Sequence, residues 1–220
     1  MVSRTGRTPA APEDAYTAEP FLPARGGIEA LREAAAGCRG CPLHRDATRT
    51  VFGAGNTHAR VLLVGEQPGD QEDRQGAPFV GPAGKLLDRA LDEAGIDPGD
   101  TYTTNAVKHF KFEVVPERGK RRIHKSPSLR EMTACKPWLD AEVRLVDPEI
   151  IVALGATAGK ALLGSSFRVT RQRGILLPYE DRGESLLATI HPSAVLRADD
   201  REAVYEGLVS DLRMAARALS

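Results

Sequence analysis

The sequence predicts an α/β fold, a parallel sheet of four strands with helices on both faces. Three observations lead there. Four short apolar runs have strand composition: Arg60–Val64, Tyr102–Val107, Glu149–Leu154 and Ser185–Ile190. Helical patterns separate them, and strands that alternate with helices form crossovers covering both faces of a parallel sheet. The composition, 41% apolar, 27% charged and 5% aromatic over 220 residues, is that of an ordinary globular domain.

Taken in order, residues 1–25 carry Pro9, Pro12, Pro20 and Pro23 with no apolar period, and read as a flexible tail. Residues 26–220 are the expected folded domain. The stretch 27–37 (GIEALREAAAG) is a short amphipathic helix stopping at Gly37. Lys85–Ala94 has apolar residues at helical spacing and stops at Gly95. Leu129–Val146 is helical, with a break expected at Pro137. Ala156–Leu163 is a shorter helix. Asp200–Leu219 closes the chain with Val204, Leu208, Leu212 and Ala215 on one stripe. There is no internal repeat. Ligand sites of such folds lie beyond the carboxyl ends of the strands. That rule directs attention to residues 65–73, 108–125, 155 onward and 191–197.

No apolar run approaches the roughly 18 residues of a membrane span, so no membrane contact is expected. No signal-type apolar run follows Met1, which points to the cytoplasm. Lys and Arg number 30, Asp and Glu 30, so a nucleic-acid partner would have to be held by a local patch. Three cysteines in a chain without an export signal argue for free thiols or metal ligands.

Several motifs carry chemistry. Gly65-Glu66-Gln67-Pro68-Gly69 follows the first strand, then Glu72-Asp73 and Gly76-Ala77-Pro78-Phe79-Val80-Gly81. Such a loop lets backbone approach a ligand, Glu66 suits a base or a cation stabiliser, and Phe79 offers a flat ring. A plain βα turn with a core phenylalanine has the same composition. Gly155-Ala156-Thr157-Ala158-Gly159-Lys160 is one residue short of a P-loop and lacks its Ser or Thr. Cys38-Arg39-Gly40-Cys41 is a C-x-x-C pair, with Cys135 far downstream. A zinc or iron–sulfur site wants four ligands, so a His, Asp or Glu would complete it. Lys108–Lys125 holds Lys108, Lys111, Arg118, Lys120, Arg121, Arg122 and Lys125 against Glu113 and Glu117, with Phe110 and Phe112 interleaved. It suits a phosphate backbone, as it also suits solvent. His124 ends its Lys120–His124 string and fits a phosphate donor, a base or a nucleophile. His191-Pro192-Ser193-Ala194 follows the last strand, where a histidine can donate to a developing oxyanion.

Together GEQPG, the EDxxGxPFVGxAGxLL pattern, TNAVK, ALGATA and HPSAVLR, in this order, resemble the uracil-DNA glycosylase superfamily, and most nearly its iron–sulfur family 4. The resemblance spans about residues 30–215. Three departures stand out: Gln67 where family 4 usually has Ala, His109 where it usually has Cys, and the insertion carrying Lys120–His124. All three resemble the UdgX branch, whose members become covalently joined to DNA after removing uracil.

This resemblance implies a three-layer α/β/α sandwich around a central four-stranded parallel sheet. It implies a [4Fe–4S] cluster on Cys38, Cys41, His109 and Cys135. It implies a substrate of uracil-containing DNA, single- or double-stranded, with free uracil as product. The protein is expected to act as a monomer, at the nucleoid. Phe79 would stack on the flipped uracil, with Gly65 and Gln67 lining the pocket. Asn105 would read O4 and N3–H, whose polarities cytosine reverses. His191 would hydrogen-bond O2, and Glu66 would stabilise the cationic sugar. His124 would attack C1′. Lys120, Arg121 and Arg122 would contact DNA, as would Ser193, Leu196 and Arg197 of a wedge. Two alternatives stay open: a turnover glycosylase in which His124 only touches phosphate, and a non-enzymatic iron–sulfur protein that binds damaged DNA.

Overall fold

The computed structural model describes residues 16–115, 121–179 and 183–219. A six-stranded sheet has the order β1-β3-β2-β6-β8-β7. Its middle is the expected parallel set: β2 (Val61–Gly65), β3 (Thr101–Asn105), β6 (Ile150–Leu154) and β8 (Glu184–Thr189). The expectation of four strands needs correcting at the edges. There β1 (Ala54–Gly55) and β7 (Leu176–Tyr179) pair antiparallel to β3 and β8. Both are short or only half-buried, so neither shows a continuous apolar run. Pro178 sits in β7, where an edge position tolerates a residue with no N–H to donate.

The central strands are apolar throughout because they are buried on both faces. Leu62, Val64, Ile151, Ala153 and Leu186 enter one core, under α1 (Ile28–Ala35), α4 (Leu129–Val146) and α5 (Gly155–Leu163), with the short α6 (Val169–Gln172) beside α5. Val61, Leu63, Ile150, Val152 and Leu187 enter the other. That side is covered by α3 (Pro82–Ala94), α7 (Pro192–Arg197) and α8 (Arg201–Ala218). The result is three layers, α/β/α.

Helix α4 runs unbroken through Pro137, against the expected break. The ring costs a single backbone bond, and beside it the Ala134 carbonyl accepts the N–H of Ala18 at 2.8 Å. At its start Ser128 and Glu131 form a reciprocal cap. Residues 16–25, at the end of the segment read as a tail, include a turn at Glu19–Phe21. Ala18 there is 1% exposed, and Tyr16, Phe21 and Leu22 pack on the same core. Residues 1–15 lie outside the described residues.

Two further elements are absent from the sequence reading. Helix α2 (Asp70–Gln75) opens with Asp70, Glu72 and Asp73 in its first turn and ends at Gly76 with φ 82°. The basic stretch is a hairpin, in which β4 (Phe112–Val115) pairs antiparallel with β5 (Arg121–His124). Its tip, residues 116–120, lies outside the described residues, and Lys120 with it.

Candidate active site

A cleft of about 750 Å³ opens beyond the carboxyl ends of the parallel strands. Glu66 follows β2, Asn105 ends β3, Gly155–Thr157 follow β6 and His191 follows β8. Phe79, Leu196 and Arg197 form walls, and His124 reaches in from β5.

The floor is Gly65. A methyl group on it would lie 2.3 Å from Asn105 Oδ1 and 2.7 Å from Phe79 Cζ, so only glycine lets the amide and the ring come this close. Asn105 is 3% exposed. Phe79 takes φ 55°, a left-handed conformation that costs a bulky residue energy. Its carbonyl presses against Gly84 of α3, where a Cβ would have no room. Its ring lies 6.1 Å from the His191 ring.

His191 caps α7. Its Nδ1 accepts the Ser193 N–H at 3.1 Å and lies 2.8 Å from Ser193 Oγ. The proton of the neutral ring therefore sits on Nε2. Burial pushes the pKa of His191 down to about 4, with Arg197 and His124 adding to the drop and Glu66 opposing it. The ring is thus a neutral N–H donor. The stretch Ser193–Arg197, expected as a wedge loop, is the short helix α7, with Leu196 half-buried and Arg197 exposed.

Glu66 Oε2 accepts a hydrogen bond from Thr157 Oγ1 at 2.8 Å. Its Oε1 is buried without a partner among the described residues and lies 3.8 Å from His124 Nε2. Desolvation lowers the pKa of His124, and Arg197 pushes the same way. Glu66 and Glu72 oppose them.

The hairpin that carries His124 is tied down from inside. Gln67 accepts from Lys111 N and donates to the Lys111 and Lys125 carbonyls, each at 3.1 Å. Its amide is thus spent on the two residues flanking the hairpin. Arg122 donates to Asp70 Oδ1 and, at 2.6 Å, to Asp73 Oδ2, while its guanidinium lies over Phe110 and Phe112. Both acidic partners lift its pKa further, against its own burial. Arg122 is therefore a strut between α2 and the hairpin, and among the arginines of β5 it is Arg121 that faces solvent. The pairings of Asp70, Asp73 and Thr157 are the contributions that sequence patterns missed, while Gln67, expected in the uracil pocket, lines the cleft and also clamps the hairpin. The acidic first turn of α2 was a usable signal, whereas Thr157 had none.

Cys38, Cys41 and Cys135 lie within electrostatic reach of one another, and His109 follows Lys108, whose N–H reaches the Cys135 sulfur. Cys38, Cys41, Cys135 and His109 are all buried, and no disulfide joins the thiols. Burial pushes Cys41 up to about 11 and Cys135 up to about 12. Trp138 Nε1 and the Lys108 N–H each donate to a sulfur, of Cys38 and Cys135 respectively, at 3.3 Å. Thr50 Oγ1 spends its hydrogen on the Ala35 carbonyl, so it accepts from His109 Nε2 at 3.0 Å. His109 Nδ1 then keeps a free lone pair, and burial pushes this pKa down to about 4. Among the described residues no group of three or more His, Cys, Asp or Glu is close enough to hold a single metal ion.

Comparison with known proteins adds three findings. The Uracil DNA glycosylase superfamily profile matches residues 52–213. A type-4 uracil-DNA glycosylase of Thermotoga maritima is 37% identical over 176 residues, covering 80% of this chain and 86% of its own. One of Sulfurisphaera tokodaii is 34% identical, covering 77% and 76%. In fold, the crystal structure of wild-type Pedobacter heparinus SMUG2 is similar with a TM-score of 0.52 at 14% identity, over 74% of this chain and 76% of that one.

Proposed function

The chain belongs to the uracil DNA glycosylase superfamily, and on that premise we propose that it excises uracil from DNA and then captures the abasic sugar through His124. The observation that carries this reading is the buried, unpaired Oε1 of Glu66, with the His124 imidazole 3.8 Å away in one cleft with Asn105, Phe79 and His191.

The flipped base enters over Gly65, stacks on Phe79 and pairs its O4 and N3–H with the Asn105 amide. The bond from C1′ to N1 breaks, and its electron pair leaves with the uracil. His191 Nε2–H donates to O2 as the negative charge grows there. The sugar is left cationic opposite the Glu66 carboxylate. The lone pair of a neutral His124 then bonds to C1′, and the proton on the other ring nitrogen is lost to water, which leaves a neutral ring and a stable adduct. Arg121 and Arg197 meet phosphate, and Leu196 fills the space the base vacates. The internal pairing of Arg122 and Gln67 supports a role in positioning the hairpin rather than in touching DNA or uracil.

Three buried thiols, two of them accepting N–H bonds, and a histidine with its Nδ1 free make a donor set suited to a [4Fe–4S] cluster. When bound it would tie the segment around Cys38 to α4 and to the loop after β3. Fresh anaerobic protein should be brown and carry about four irons per chain. Stoichiometric zinc without iron would overturn this.

The type-4 relatives favour a second reading, a turnover enzyme in which water attacks C1′. A uracil-containing oligonucleotide on a denaturing gel separates the two. Capture gives a heat-resistant shifted band, turnover gives free abasic DNA, and a non-enzymatic binder gives neither. In His124→Ala the adduct should vanish while uracil release continues past one turnover. An adduct that survives the substitution would sink the assignment of His124.

A further inference from the structure

One hydrogen bond in the cleft has no task in the steps above. Thr157 lies in the first turn of α5, a helix that starts at Gly155, where both the φ of 89° and a Cβ contact of 2.8 Å to His191 Cβ call for glycine. Its hydroxyl holds Glu66 Oε2 at 2.8 Å. The other oxygen is buried and unsatisfied, which is unfavourable for a carboxylate. The imidazole N–H donor within reach of it is His124 Nε2, at 3.8 Å. A movement of about 1 Å would bring the pair to hydrogen-bond distance. A carboxylate at that distance favours the protonated ring, and an imidazolium has no lone pair to attack with.

We propose that Thr157 is a positioning residue: by holding Oε2 it keeps Oε1 of Glu66 short of His124, so the imidazole stays neutral and the free oxygen faces the reacting sugar. This rests on the reading of His124 as nucleophile. The charged groups acting on His124 come from three elements: Glu66 after β2, Glu72 on α2 and Arg197 on α7. His191 lies across the cleft, and Phe110 is an uncharged neighbour with its ring 6.1 Å away. Of these, only the Glu66 contact depends on the Thr157 hydroxyl.

Two substitutions test it. Thr157→Val keeps the shape and removes the hydroxyl, while Thr157→Ser keeps the hydroxyl. His124 is titrated by NMR in the protein alone, and adduct formation and uracil release are then followed separately at saturating oligonucleotide. In Thr157→Val the His124 titration should rise by about one pH unit. Adduct formation below that pKa should slow about tenfold, in proportion to the lost neutral ring. Half-saturating oligonucleotide should not change, and Thr157→Ser should restore both rates and titration. A valine variant that titrates like the parent overturns the proposal, as does a serine variant that behaves like valine. The titration uses no substrate, so it judges Thr157 independently of activity. Failure of the functional reading would show in the unsubstituted chain, as uracil release without an adduct or as neither.

Discussion

At Gly65 a single hydrogen atom separates an open pocket from a blocked one. A methyl there would meet Asn105 Oδ1 at 2.3 Å and Phe79 Cζ at 2.7 Å and force both to shift. Gly65→Ala should cut uracil release at least about a hundredfold while leaving phosphate-driven DNA binding in place. Assays of release and of binding on one preparation check this. Asn105 makes a complementary prediction. A carboxylate cannot donate to O4, so Asn105→Asp should lower uracil excision by roughly a hundredfold, as loss of one well-placed donor does elsewhere. Parental single-turnover rates would show that another group reads the base.

The β4–β5 hairpin separates two adjacent arginines into different jobs. Arg122 faces inward onto Asp73, which is fully buried, while Arg121 faces solvent. Arg122→Met removes the charged partner of that carboxylate, leaving it the Thr48 and Arg49 N–H groups among the described residues, and should cost about 3 kcal/mol in urea unfolding. It should also slow adduct formation by loosening the element that carries His124. Arg121→Ala should leave stability unchanged and reduce the slope of log affinity against log salt by about one, the signature of a single phosphate contact. If Arg122→Met gave the smaller slope and Arg121→Ala did not, the two roles would be reversed.

Across the whole molecule, the depressed pKa of His191 ties stability to pH. The folded state holds this ring neutral down to about 4, whereas the unfolded chain takes up a proton near 6.5. Between those values the unfolded state binds more protons, so stability should fall as pH drops from about 6.5 towards 4. Equilibrium unfolding at several pH values should show that decline, and His191→Asn should make it shallower, with His109 carrying a share of what is left. An equal slope in both proteins would mean that His109 and His124, whose pKa values burial also lowers, carry it.

The sequence by itself determined the parallel core and most of the helices around it. Val61–Val64 and Ile150–Leu154 are apolar at every position because they are buried on both faces, which leaves an unmistakable run. It also determined which strand ends to search, and Glu66, Asn105 and His191 all line the cleft found there. The edge strands escaped because a half-exposed strand, one of them holding Pro178, has no such run. The unbroken α4 escaped because a proline's cost is decided by what packs beside it. Only the tertiary structure decided that Arg122 faces inward and Arg121 outward, that Gln67 clamps a hairpin, and that Thr157 holds Glu66. Those pairings join residues 91 positions apart for Thr157 and Glu66, and 52 for Arg122 and Asp70. No local periodicity relates such residues. Their distance is set by how β2, β5 and α5 converge once both cores are packed, and the chemistry of the cleft depends on that distance.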